Sequence, residues 1–385
     1  MVFSQLGLAV SLIALAGCAN LGGATALPPV PWHDTAFGHS PGLVDLDQEQ
    51  LFLLDPELEQ QLAAPAVQQL STAKRIEKLI GLLYGQGIKP FPYQAGHSTR
   101  AAETWRNGRG DCLSLTVLAY AMARALHLQA QMQEVHVPVM IDRRGDVDYF
   151  NEHINLVFPK SAAGEWIGNK WTGNDLVLDF EPDLGSNRKG QTLSASDVLA
   201  RYDNNRASEH LAQRQFDQAY AYFKAAITQA PGYPASYGNM ALLYVGRGWL
   251  ADAEQLLRRA IQLSEDPSQP MLSLQQLLEQ QGRSAEARQV ALDLQSRRDQ
   301  NPYFWVGLGL QRLRDGQPHQ AIAALEQAEQ LTHGFEEVHH YLALAYWKTG
   351  EMAQVEAQLQ VLSQINPNSA DLAALREKLM SARLR

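Results

Sequence analysis

Hydrophobic and polar positions follow three rhythms along the chain. Near the start, Leu6 to Ala16 forms an almost wholly apolar run ending in Leu15-Ala16-Gly17-Cys18. It is shorter than the ~20 residues that a membrane-spanning helix needs. A second region mixes two periods. Apolar side chains recur at helical spacing over Ala66–Tyr84 and again over Cys112–Ala130, with a short helix expected at Ser98–Trp105, a breaker-rich loop at Gly85–Tyr93 and a turn at Asn107–Asp111. Gln133–Ile141, His153–Phe158 and Leu176–Phe180 read as strands, the middle one by its strict alternation. The third rhythm is the longest. Ala219, Ala253, Ala287 and Ala321 are each 34 residues apart, and Val355 continues the series.

That ruler holds at other offsets. It falls on Arg214, Gly248, Gly282, Gly316 and Gly350, and on Phe223, Leu257, Ala291, Leu325 and Leu359. Pro231, Pro267, Pro302 and Pro367 close successive units. A glycine at an inter-helix turn, with small residues where two helices cross, resembles the tetratricopeptide repeat. Five units are expected over 200–369, the third (Pro267–Asn301) being the weakest because Gln275 and Leu278 replace the usual glycine and tyrosine. Residues 370–385 should cap the last unit. The resemblance implies an all-α solenoid that binds a protein or peptide partner. Most of Tyr237, Tyr244, Trp305, Tyr341, Tyr346 and Trp347 are expected in its core, and the His339-His340 pair on a solvated face, since adjacent helix positions diverge too far to share a metal.

Composition narrows the partners. Lys and Arg number 32 against 41 Asp and Glu, a net charge of −9, which argues against nucleic acid. With 45% hydrophobic and 19% charged residues the chain can bury sizeable cores. Two cysteines, Cys18 and Cys112, exclude a disulfide framework and supply too few thiolates for a cysteine-built zinc site. No metal-ligand spacing surrounds His97 or Glu152-His153, so neither metal nor other cofactor is expected.

The Leu15-Ala16-Gly17-Cys18 run resembles the lipobox of bacterial lipoproteins, although Met1–Gln5 lacks the usual Lys or Arg. The resemblance implies loss of residues 1–17, lipid on Cys18, and membrane attachment through it. With Ala19 rather than Asp next, it implies the periplasmic face of the outer membrane. Ala19–Pro31 is small, uncharged and rich in Gly and Pro, as a flexible tether would be.

Cys112 would open a helix. Backbone N–H groups and the helix dipole at such a position favour a thiolate, while burial opposes it. A thiol nucleophile also needs a base, and the base an acid that fixes its tautomer. His153 and Asp179, on two later strands, supply those groups in order. Gly110-Asp111-Cys112-Leu113-Ser114-Leu115, His153 in HINLVF and Asp179 in LVLDFEPD resemble the transglutaminase-like branch of the papain-like cysteine enzymes. The resemblance covers roughly 65–185. It implies an α+β papain-like/transglutaminase-like domain and acyl transfer through a thioester. Glu181 and Asp183 compete with Asp179 for the acidic role, and His136 with His153 for the base. His127, fifteen residues along the cysteine helix and therefore ~22 Å away, cannot serve. The Cys112 N–H and the Trp105 indole are candidate oxyanion donors.

The expected organisation is a signal peptide (1–17), a lipidated cysteine and flexible linker (18–60), the transglutaminase-like domain (61–199), five repeats (200–369) and a capping helix (370–385). Its expected function is an envelope-anchored cysteine hydrolase or acyltransferase acting on amide bonds of peptides or proteins. The alternative is a catalytically inactive scaffold for an envelope complex.

Overall fold

Asp47 and Asp55 each cap a helix before the region expected to be structured. Their side chains accept from the backbone N–H groups of Gln50 and Glu57, starting α1 (Gln48–Leu51) and α2 (Pro56–Ala63). The computed structural model describes residues 28–39, 41–44, 47–84, 91, 97–135, 141–144, 147–150, 153–159, 175–180, 190–332, 335–365, 372, 375 and 376. It divides into Met1–Trp32 and His33–Arg385, and everything below belongs to the second unit. Cys18 and the apolar run before it lie outside the described residues.

The linker expected over 18–60 is folded from His33 onward. Short 3-10 helices at Asp34–Phe37 and Pro41–Leu43 precede α1, and Phe37, Leu51, Leu58 and Leu62 are almost wholly buried. Those apolar residues are too sparse to show a period, yet each finds a partner in the core.

The helix expected over Ala66–Tyr84 is two, α3 (Pro65–Gln68) and α4 (Thr72–Tyr84), because Ser71 accepts from the Lys74 N–H and restarts the chain. There follow α5 (Ala101–Asn107) and α6 (Cys112–Ala125). Helix α6 stops five residues before Ala130, with His127 in the left-handed region at φ 52°. This turn buries Leu126 and Leu128.

The strands are β1 (Gln131–Val135), β2 (Ile141–Arg144), β3 (Val147–Phe150), β4 (His153–Phe158), β5 (Leu176–Leu178) and β6 (Gln191–Leu193). One sheet has the order β5-β4-β1-β6 with all neighbours antiparallel, and β2 pairs with β3 apart from it. The strand expected over Gln133–Ile141 is thus divided between β1 and β2. Strand β6 was not anticipated, being short and polar. Gly190 leads into it so tightly that a Cβ there would lie 1.9 Å from the Glu134 carbonyl oxygen.

Ten further helices form five pairs: α7 (Ala195–Ala212) with α8 (Phe216–Gln229), α9 (Pro234–Gly246) with α10 (Leu250–Leu263), α11 (Ser268–Gln280) with α12 (Ser284–Gln300), α13 (Pro302–Arg314) with α14 (Pro318–Leu331), and α15 (Glu336–Thr349) with α16 (Met352–Ile365). The ruler's turn glycines Gly248, Gly282, Gly316 and Gly350 all have φ between 70° and 84°, and Arg214 adopts 59° in the same place. The crossing residues Ala219, Ala253, Ala287, Ala321 and Val355 are buried. Of the expected cap, Leu372, Leu375 and Arg376 are described, and the two leucines join the apolar cluster of the last two pairs.

Two details depart from expectation. Helix α7 runs through the boundary placed between 199 and 200: Val198, Leu199 and Tyr202 belong to the core around α6, whereas Ala200 packs with Ala226, Ala230 and Tyr233 of the repeats. His339 is buried rather than solvated, with Nδ1 2.7 Å from Gln358 Oε1 on α16. It occupies the repeat position held by Tyr237 and Met271, which are buried as well.

Candidate active site

The residues before Cys112 place it at the first position of α6. Gly108 ends α5 at φ 60°. Gly110 packs so closely that a Cβ would lie 2.9 Å from Ser114 and 3.2 Å from Thr104. Asp111 then caps α6. Its Oδ1 accepts from the Ser114 N–H at 2.7 Å and the Ser114 hydroxyl at 2.6 Å. Its Oδ2 accepts from Ser98 Oγ at 2.6 Å, and Ser98 Oγ accepts in turn from Asn205 Nδ2 at 2.9 Å. Ser98, Asp111 and Ser114 are all buried. The first helix of the repeat array therefore reaches the cysteine helix's cap through one serine. Gly110 and Asp111, two residues of the motif, have structural duties of their own.

His153 opens β4 and Asp179 directly follows β5. Leu156 pairs with Leu178, so the same register sets Asp179 opposite Asn155. His153 Nε2 lies 2.8 Å from both Asp179 carboxylate oxygens, and Asn155 Nδ2 donates to Oδ2 at 3.2 Å. Solvent reaches 1% of His153, none of Asn155 and 8% of Asp179, so this contact is little screened. The Tyr84 hydroxyl donates to the Asp179 backbone carbonyl at 3.0 Å. Burial, with the Asp179 charge beside it, pushes that hydroxyl up to about 12 and keeps it a donor.

Topology brings the two halves of the site to one end of the layer. A five-residue connection between α6 and β1 reverses the chain, and β1 is antiparallel to β4. Helix α6 and strand β4 therefore run the same way, and Cys112 and His153 both stand at their starts. Thr116 Oγ1 donates to the Ile154 carbonyl at 3.3 Å, joining α6 one turn past Cys112 to β4 one residue past His153. Ile154, Leu156 and Phe158 belong to the apolar cluster shared with Leu113, Val117 and Leu118 of α6. His153, Asn155 and Asp179 belong to the alternate set.

Trp105 packs against the core from α5 and stacks on Phe91 with ring centroids 5.9 Å apart, a packing role independent of any oxyanion. His127 is exposed at the far end of α6. His136, Glu152, Glu181 and Asp183 lie outside the described residues. Among the described residues no group of three or more His, Cys, Asp and Glu could hold a metal, and no helix is long and apolar enough to cross a membrane. Sequence reasoning missed Asn155, Tyr84, Ser98 and Ser114. Asn155 was signalled by its two-residue offset from His153 and Ser114 by the Asp-x-x-Ser spacing of a helix cap. Nothing local marks Tyr84 or Ser98.

The family model of the tetratricopeptide repeat matches residues 210–267 and 312–379, passing over the third unit. Among solved structures the chain is similar to PilF of Pseudomonas aeruginosa, at 18% identity over 49% of this chain and 86% of that one, with a TM-score of 0.26. It is similar to YrrB, described as a tetratricopeptide-repeat protein with an unusual peptide-binding site (14%, 46% and 92%, 0.25). It is also similar to the MamA protein (18%, 45% and 94%, 0.23). No curated protein matches the chain. The C-terminal half thus carries tetratricopeptide repeats, an architecture whose stacked helix pairs offer an extended surface to another chain.

Proposed function

We propose that this chain is a cysteine hydrolase of the transglutaminase-like kind, acting on amide bonds of peptides or proteins, with the repeats recruiting the substrate. The carrying observation is the buried His153–Asp179 contact at the same end of the layer as Cys112. In this reading Asp179 holds the Nε2–H tautomer of His153, and the proton shuttled from Cys112 travels by Nδ1. The sulfur attacks the amide carbonyl carbon. The C–N bond breaks, the thiol proton passes through His153 to the leaving amine, and a thioester remains. Water then attacks the thioester, giving a carboxylic acid and restoring the thiol. The Cys112 N–H is the nearest oxyanion donor by its position at the helix start. Resemblance of the first eighteen residues to a lipoprotein signal supports a location in the bacterial envelope, lipid-anchored through Cys18, on the periplasmic face of the outer membrane.

A second reading is favoured by the tetratricopeptide repeats, which by themselves support a protein-binding role. There the core is an inactive recognition domain, and the protein is an adaptor. One pair of measurements separates them. Cys112→Ala should abolish thioester formation with an amide-directed probe while moving the thermal midpoint little. Titrating iodoacetamide labelling of Cys112 against pH should give a midpoint below the free-thiol value of ~8.5. Labelling that persists in Cys112→Ala, or a midpoint at the free value, establishes the adaptor.

A further inference from the structure

The residues just before α5 are strung between the cysteine helix and the first helix of the repeats. On the α6 side, Ser98 Oγ donates to Asp111 Oδ2 at 2.6 Å and the Thr99 N–H donates to Ser114 Oγ at 2.8 Å. On the α7 side, Asn205 Nδ2 donates to Ser98 Oγ at 2.9 Å, and Glu209 Oε1 accepts from the Ser98 N–H at 2.9 Å. Glu209 is itself paired with Arg206 and lies 3.2 Å from His97 Nδ1. Ser98 and Thr99 are both buried, so water competes little for these bonds.

The series of donors has a direction. Asn205 donates to Ser98, Ser98 donates to Asp111, and Asp111 accepts twice more from Ser114. Hydrogen bonds in series polarise one another, so the Asn205 amide strengthens the Ser98 donation. What it steadies is the residue immediately before Cys112. Two effects then act on the sulfur with the same sign. A fixed cap holds the first-turn N–H groups of α6 in the orientation that favours a thiolate. Donors on the Asp111 carboxylate also draw off negative charge that would otherwise repel that thiolate. We propose that Asn205, acting through Ser98, is a positioning residue for Cys112. This rests on the reading of Cys112 as the nucleophile. It gives the repeats a part in the chemistry beyond recruitment, since the readiness of the thiol depends on where α7 sits.

The test follows the ultraviolet absorbance of the Cys112 thiolate against pH in the full chain, taken as the difference from Cys112→Ala. Asn205→Ala and Ser98→Ala should each raise the midpoint, by roughly 0.5–1 pH unit for the usual strength of a helix terminus. The two changes together should raise it no further than Ser98→Ala alone, because Asn205 acts through that hydroxyl. Both substitutions are neutral. The charged and titratable groups at this end of α6 (Asp111, His153 and Asp179, and towards α7 His97, Arg206 and Glu209) are all retained, so a moved midpoint reports the cap. Asn239→Ala is the control: its amide donates to Asn204 of α7 at 3.0 Å, so its loss loosens the same helix without touching the cap. It should lower the thermal midpoint and leave the thiol midpoint where it was. Asn205 is only half-buried, so Asn205→Ala against Asn239→Ala decides the matter should Ser98→Ala fail to fold. An unmoved midpoint in Asn205→Ala, an equal rise in Asn239→Ala, or additive rises in the double variant overturns the proposal. Every comparison is between a variant and its parent, so the two readings fail separately. A parent midpoint at the free-thiol value of ~8.5 removes catalysis, whereas an activated parent with an unmoved Asn205→Ala removes the positioning role alone.

Discussion

At the residue scale, one repeat position shows how context sets the chemistry of a side chain. The 34-residue ruler places Asp203, Tyr237, Met271, Trp305 and His339 in register. Asp203, Tyr237, Met271 and His339 are each at most 5% exposed. His339 satisfies its burial by hydrogen bonding. Asp203 Oδ1 has no hydrogen-bond partner, and burial pushes this carboxyl up to about 8 from 3.8. The sign follows directly. Between those two values the folded chain keeps a proton that the unfolded chain has released, so Asp203 makes stability fall as pH rises, levelling off above about 8. Asp203→Asn should remove this slope, and Asp203→Leu should raise the thermal midpoint more at pH 8 than at pH 5. A pH profile identical to wild type would show that Asp203 does not hold its proton. The sequence already marked this position, since three of its five occupants are apolar. What no ruler reveals is that Asp203 lacks a partner.

At the element scale, the helix pairs follow from their small residues. Gly309 on α13 meets Leu325 of α14 so closely that a Cβ would lie 2.6 Å from Leu325 Cγ, at a site enclosed by side chain rather than solvent. Gly309→Ala should therefore destabilise the chain by roughly 1–3 kcal/mol through overpacking, read as a lower urea midpoint. An unchanged midpoint would mean the pair can slide apart. Gln275 stands at the same position in the third unit, the one that the repeat model passes over, yet α11 and α12 form. Helix periodicity and neighbouring repeats evidently suffice there. Elements of the N-terminal half were legible where the period was long or strictly alternating, as in α6 and β4. They were illegible where a strand of three residues, β6, forms only because β1 is there to pair with it.

At the scale of the whole molecule, the chain is tied at both flanks of the first two repeats. Helix α7 belongs to the core and to the solenoid at once. At the other flank, the segment after residue 32 is clamped. His33 stacks on Trp249 at 4.0 Å, Asp34 accepts from Lys224 Nζ and the Tyr220 hydroxyl, and Phe37 stacks on Tyr220 at 4.4 Å. If Cys18 carries lipid, Cys18→Ser should move the chain from the membrane fraction to the soluble fraction, and a variant that stays membrane-bound refutes the anchor.

The repeat array was determined by sequence alone, because a fixed period records which residues meet at every helix crossing and turn, and such contacts lie within one or two units of chain. Cys112, His153 and Asp179 could be named as candidates, because an alternating strand and a capped helix are local patterns. Tertiary structure decided the rest. It decided that His153 binds Asp179 through Nε2, and that Ser98 links a repeat helix to the cysteine's cap. Those facts depend on register and on pairings between residues as far as 107 positions apart, which no local pattern encodes.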